Sequence, residues 1–171
     1  MAEEKKKKRQ WLLILLLLLI ILVLLFLLLR SRKEEQPGYE REVAAKLGQL
    51  EGKSEAEIQA ELNRVVEEGM FHISINTDPV FQDGASEGSL EIENVPNNHY
   101  LMRVEILEDE TGELLYSTKY IEPNNHIQKA ALKTDLEPGE YPSTAVFYAY
   151  DPDSLVEMGS TACRICIHIL N

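Results

Sequence analysis

Positions 11–29 read WLLILLLLLIILVLLFLLL, an unbroken apolar run of 19 residues from Trp11 to Leu29. At 1.5 Å per residue a helix of this length reaches roughly 28 Å, close to the ~30 Å hydrocarbon core of a bilayer. A single segment in lipid has to satisfy its own amides, and a helix does so. The run therefore predicts a transmembrane helix over 11–29, with the lipid bilayer as a partner. A cleaved secretory signal is the competing reading. Its apolar region is usually shorter and ends on small residues before the cut, whereas this run ends Leu27-Leu28-Leu29-Arg30-Ser31-Arg32. A retained anchor fits better.

Charge divides the chain at the same place. Residues 1–33 hold eight Lys/Arg and two Glu, a net +6; residues 34–171 hold nine Lys/Arg and twenty-seven Asp/Glu, a net −18. A nucleic-acid binder is disfavoured, because such proteins neutralise phosphate with a basic face. Lys5, Lys6, Lys7, Lys8 and Arg9 precede the run, and Arg30, Arg32 and Lys33 follow it. The heavier basic cluster tends to stay cytoplasmic. The expected topology is a basic cytoplasmic tail at 1–10, the anchor at 11–29, and everything after it outside the membrane.

A linker and helical stalk are expected over 30–69. Pro37-Gly38 punctuates the chain. Val43, Leu47 and Leu50 then fall at i, i+4 and i+7, a helical stripe of about three turns. Ser54 and Glu57 form a capping-box pattern ahead of Ile58, Leu62, Val65 and Val66, with Gly69 as a stop, which predicts a helix over 55–68. Eight residues separate Leu50 from Ile58, so the two stripes share no heptad register and a long coiled coil is disfavoured. The second stripe either packs on the following domain or docks a partner helix.

From Met70 the period changes to 2 and turn residues recur, the pattern of a mainly β domain over 70–171. Phe71, Ile73 and Ile75 alternate with polar residues, as do Met102, Val104 and Ile106. The stretch DETGE at 109–113 reads as a hairpin turn with Gly112 at the left-handed position. LEPGEY at 136–141 suits a tyrosine corner, in which the Tyr141 hydroxyl returns to upstream backbone. If Tyr141 faces inward, so do Ser143, Ala145, Phe147 and Ala149. The last strand alternates Cys163, Ile165, Ile167 and Ile169 with Arg164, Cys166 and His168. Seven strands in this span predict an immunoglobulin- or fibronectin-III-like sandwich, without the Trp and paired cysteines of antibody domains.

The runs KSEAEIQAELNRVVEEGMFHISIN, GSLEIENVPNNHYLMRVEI, TGELLYSTKYIEPNNHI and LEPGEYPSTAVFYAYD, following the basic tail and apolar run, resemble a group of small single-pass membrane-anchored surface proteins of Gram-positive anaerobic bacteria. Members of that group combine a tail, an anchor and one β-sandwich. The resemblance implies a surface location and a binding or scaffolding role, and it brings no catalytic motif.

Chemical motifs are sparse. The CRIC pair at 163–166 cannot close on itself in a strand, where residues three apart lie about 10 Å apart on opposite faces and a disulfide needs under ~7 Å. A four-Cys zinc set is incomplete, and a mixed one would have to recruit distant His72, His99 or His126. Neither metal nor cofactor is expected. Cys163 reads as a small core residue. Cys166 reads as an outward thiol beside Arg164 and His168, available for pairing between molecules or else inert. DPDSLVE at 151–157 is acidic but misses the calcium-loop template, with Val156 at its sixth position and Ala162 at its twelfth. No nucleophile-elbow or His-Glu-x-x-His pattern marks an enzyme.

The outward side of the strand after Tyr141 carries Thr144, Val146, Tyr148 and Tyr150. Val146, Tyr148 and Tyr150 are the candidate protein-contact residues, unless the stalk helix covers them through Ile58, Leu62 and Val65. The expectation is a noncatalytic, membrane-tethered module that binds or scaffolds other envelope proteins. A small envelope hydrolase or a regulatory subunit of a membrane complex are the alternatives.

Overall fold

The computed structural model describes residues 11, 15–23, 38–63 and 70–171. It divides into two compact units, Met1–Gly38 and Tyr39–Asn171. In the first, residues 15–23 are helical and their side chains, like that of Trp11, are exposed. Among the described residues no helix is long and apolar enough to cross a membrane. The rest of the expected anchor, at 12–14 and 24–29 and including Leu29, lies outside the described residues, as does the tail with Lys5, Lys6, Lys7, Lys8 and Arg9.

The second unit is mainly β. Its strands are β1 (Lys46–Leu47), β2 (Val80–Phe81), β3 (Glu87–Gly88), β4 (Ile92–Asn94), β5 (Leu101–Glu108), β6 (Leu114–Ser117), β7 (Asn125–Ile127), β8 (Ala130–Ala131), β9 (Gly139–Tyr150) and β10 (Glu157–Ile169). Five of them form a curled mixed sheet in the order β2-β10-β9-β5-β6, and β1-β7-β4 and β3-β8 form two smaller sheets. Only β2–β10 is parallel within the large sheet; its other pairs are antiparallel.

Period-2 alternation builds the core from β5, β9 and β10. Met102, Val104 and Ile106 meet Ala145 and Phe147 across β5–β9, while Ile165, Ile167 and Ile169 continue the same face on β10. Ile92 and Ile127, opposite each other on β4 and β7, join this cluster with Phe81 and Leu90. Phe71, Ile73 and Ile75 pack against it, although the segment forms no named strand; Ser74 bridges Glu93 and the Asn76 backbone N–H donates to the Leu90 carbonyl at 2.9 Å. Gly112, at φ 72°, takes the left-handed position of the β5–β6 hairpin. The Tyr141 hydroxyl donates to the Glu137 carbonyl at 2.8 Å, the tyrosine corner read from LEPGEY.

Two finer expectations are corrected. The sheets do not resolve into a clear seven-stranded immunoglobulin sandwich. The long β9–β10 hairpin occupies the centre of one curled half-barrel. Apart from the eight-residue β5, the rest of the second unit is cut short by turns, such as the one at Asn124 with φ 61°, which leaves strands of two to four residues. The helical stripe of 39–50 is also absent. Arg41 bridges Tyr120 and Lys46–Leu47 pair with Asn125–His126, leaving Val43 and Leu47 exposed. Cross-strand bonding there outweighs a three-turn local pattern.

The following helix spans Glu55–Asn63. Its capping box is closed: the Ser54 backbone N–H donates to Glu57 Oε2 at 2.8 Å and the Glu57 backbone N–H to Ser54 Oγ at 3.3 Å. The remainder of the expected helix, 64–68, lies outside the described residues, including Val65. Residues 48–53 lead into the helix past β4 and β7. There Lys53 Nζ meets Glu93 Oε2 at 2.5 Å, the Glu93 side chain being 1% exposed, and His126 Nδ1 faces the Gly48 carbonyl at 2.6 Å.

Candidate functional site

β-pairing places the candidate contact residues on the outer face of the large sheet. Val146, Tyr148 and Tyr150 alternate with buried Ala145, Phe147 and Ala149, and each is half-buried. Their cross-strand neighbours on β5 are Glu105, Arg103 and Leu101. The Tyr148 hydroxyl lies 3.3 Å from Glu105 Oε2. Tyr150 meets Tyr120 edge to face at a centroid distance of 5.2 Å, and Tyr120 meets Tyr39 in the same way at 5.4 Å. Arg103 stands 5.9 Å from the centre of the Tyr120 ring, a cation–π distance.

The result is an aromatic ladder, Tyr39–Tyr120–Tyr150, with Tyr148 and Val146 continuing along β9. A groove of about 300 Å³ borders it, lined by Arg41, Glu42, Ala45, Leu47, Tyr120, Glu122 and Asn125. Arg41 Nε holds Glu122 Oε1 at 2.8 Å, and the Tyr39 hydroxyl donates to the same oxygen at 2.6 Å. Burial, helped by that carboxylate, pushes the Tyr39 phenol up to about 12. Burial also raises the Tyr148 phenol, with Glu105 adding to it, and the Tyr150 phenol, where Arg103 opposes. The three groups therefore present neutral hydroxyls at neutral pH, able both to donate and to accept.

The capped helix is held at its far end by Asn97, whose Nδ2 donates to the Glu61 and Leu62 carbonyls at 3.0 and 3.1 Å. Ile58 is half-buried and Leu62 is 49% exposed.

Tyr39, Arg103 and Tyr120 were not singled out from sequence. Arg103 was legible, because alternation against Met102 and Val104 aims it outward beside Tyr148. Tyr39 and Tyr120 meet only through the Arg41–Tyr120 bridge between distant segments, which has no local signature.

The second feature of this face lies at its other end. Cys166 and His168, two apart on β10, share the outer side, and His168 stands directly opposite Glu140 on β9. His168 Nδ1 is 3.7 Å from Glu140 Oε1, and His168 Nε2 is 3.9 Å from Asp78 Oδ1. Both thiols are free and half-buried. Cys163 packs against the core and burial raises its thiol. The Cys166 thiol is also raised, by burial and then by Glu140 and Asp78.

In the 151–157 loop, Asp151 Oδ1 accepts from the Ser154 backbone N–H and hydroxyl at 2.8 and 2.7 Å and from the Asp153 N–H at 3.2 Å, so this carboxylate is engaged in closing the β9–β10 turn.

No protein family, curated protein or solved structure matches the chain.

Proposed function

We propose that the chain is a noncatalytic binding or scaffolding module, tethered to the cell membrane by residues 11–29 and displayed on the extracytoplasmic side, where it docks other envelope proteins through the outer face of its large sheet. The observation that carries this reading is the row Val146, Tyr148 and Tyr150 set in an aromatic ladder with Arg103, on a face that alternation keeps out of the core. Tyrosine and arginine offer large contact area, hydrogen bonding and little conformational loss on binding, which is why they recur at interface centres. The apolar run and its basic flank support the anchor, which would hold the module at high local concentration near membrane partners.

The net −18 of residues 34–171 favours cationic partners and repels anionic wall polymers. A small envelope hydrolase and a regulatory subunit of a membrane complex are the alternative readings, and no constellation among the described residues favours either.

The test is photo-crosslinking in native membranes from a probe residue at Val146, followed by mass spectrometry, with Tyr148→Ser as comparison. Docking through this face gives discrete adducts that Tyr148→Ser removes while the melting temperature stays within about 2 °C. If the variant loses several degrees and the adducts persist, the row is a packing surface.

A further inference from the structure

We propose that Cys166, His168 and Glu140 form a binding site for a zinc-class divalent cation, with Asp78 orienting the imidazole from behind. The site lies at the other end of the same sheet face from the Val146–Tyr150 row and does not require that row.

Three strand segments bring the donors together. Residues two apart on a strand share a face, so Cys166-Ile167-His168 projects a thiol and an imidazole outward while Ile167 enters the core. The β9–β10 register sets Glu140 opposite His168 and Pro142 opposite Cys166. On the other edge of β10, the Cys166 and His168 backbone N–H groups donate to the Thr77 and Pro79 carbonyls at 2.8 and 3.0 Å, which carries Asp78 alongside. The pairing of β10 on both sides thus gathers residues from positions 78, 140, 166 and 168 without any loop having to close.

One donor atom from each of Cys166, His168 and Glu140 lies within 4.8 Å of the others. Zinc bonds of about 2.0–2.3 Å in a tetrahedron put ligand atoms roughly 3.5 Å apart. The 3.7 Å between His168 Nδ1 and Glu140 Oε1 is already near that value. The remaining contraction falls to side-chain rotation, easiest for Glu140, whose side chain is 76% exposed.

The two ring nitrogens then divide their work. Nδ1 faces Glu140 and takes the metal; Nε2 lies 3.9 Å from Asp78 Oδ1, too far for a hydrogen bond as it stands, and rotation of the exposed Asp78 side chain on metal binding would complete a carboxylate–histidine–metal arrangement. A thiolate with an imidazole selects zinc over calcium or magnesium, which prefer all-oxygen sets. Binding forms the sulfur–metal bond as the thiol proton passes to buffer. Three protein donors leave the fourth position to water or to a donor from another molecule.

The pattern differs from the CRIC motif: the chemistry lies in Cys-x-His, which starts at the motif's second cysteine and ends two residues beyond it, and its partners come from β9 and from the segment before β2.

The experiment titrates the purified full chain in detergent micelles with cobalt(II) alone, followed by zinc(II) competition. The expected result is one cobalt per chain with a thiolate-to-cobalt charge-transfer band, displaced by zinc. Cys166→Ser should abolish the band, Cys163→Ser should leave it, and Asp78→Asn should weaken affinity about tenfold. Glu140→Gln, a change at an exposed side chain that leaves the fold alone, should weaken it at least as much, so the test survives a Cys166 variant that fails to fold. Absence of the band, its persistence in Cys166→Ser, its loss in Cys163→Ser, or equal affinity in Glu140→Gln would mean adventitious binding to an acidic surface and would overturn the site.

Discussion

The ion pair between Lys53 and Glu93 is a joint open to direct test, because it ties the segment entering the capped helix to β4, an edge strand of the β1-β7-β4 sheet. The perturbation is Lys53→Met, which keeps the side chain's length and apolar stem and deletes the charge. Glu93 is left with a side chain 1% exposed, one oxygen 2.5 Å from where the ammonium stood, and the other, Oε1, buried without a hydrogen-bond partner among the described residues. Removing one member of a fully buried pair costs about 3–5 kcal/mol, since the remaining charge is uncompensated. The Lys53 side chain is 23% exposed, so water can reach part of the vacated site and the lower end applies, ~3 kcal/mol. At roughly 3 °C per kcal/mol for a domain of this size, the melting temperature should fall by ~9 °C.

The assay is urea and thermal unfolding of the full chain in micelles, with Glu93→Leu and the double variant completing a cycle. Replacing both partners by apolar groups is nearly neutral, so the double variant should return to within about 1 kcal/mol of the parent and reveal a coupling of at least ~2 kcal/mol. If Lys53→Met alone stays within about 0.5 kcal/mol of the parent, the pair does not hold the segment and the reasoning fails.

Other changes test other joints. Tyr141→Phe removes the corner bond to the Glu137 carbonyl and should cost ~1 kcal/mol by urea midpoint, without a change in circular dichroism. Gly88→Ala places a Cβ 2.6 Å from the Phe81 ring, and Phe81 is fully buried, so unfolding measurements should show a loss of about 2 kcal/mol. The carboxyls of Glu57 and Asp151 are held low by hydrogen bonds from the Ser54 and Ser154 backbones, and that of Glu40 by its hydrogen bond with Lys119. Lowered folded values mean that their stabilisation is present above the ordinary 4.5 and 3.8 and is lost as pH falls through the folded values. Urea midpoints should therefore hold down to that range and decline below it. In an alkaline phenolate titration Tyr39 should ionise near 12 and Tyr116 should lag well behind the ordinary 10, both held back first by burial; an early, uniform titration would contradict the packing of both rings.

What was legible in the sequence divides along physical lines. Alternation named the inward residues of β5, β9 and β10, because a period of 2 with one face buried leaves few other registers. The capping box and the tyrosine corner were legible for a similar reason: each is closed by side chains within four residues of their partners. The 39–50 segment was misread because a short apolar stripe has the same appearance on a helix and on an exposed edge, and its pairing with Tyr120 and β7 spans some eighty residues of chain. The strand count failed where turns fragment the 114–131 stretch. At the candidate sites, Val146, Tyr148, Tyr150 and Cys166 followed from alternation alone, whereas Tyr39, Tyr120, Asp78 and Glu140 are supplied by other strands or segments and become visible only once register is known.

The central functional claim is display outside the membrane, and protease treatment of intact cells tests it most directly, with an epitope placed after Asn171. The account expects the epitope to fractionate with membranes and to be lost when protease is added to unbroken cells. Protection of the epitope until the cells are lysed, or its recovery on a soluble chain that starts beyond Arg30, would contradict it.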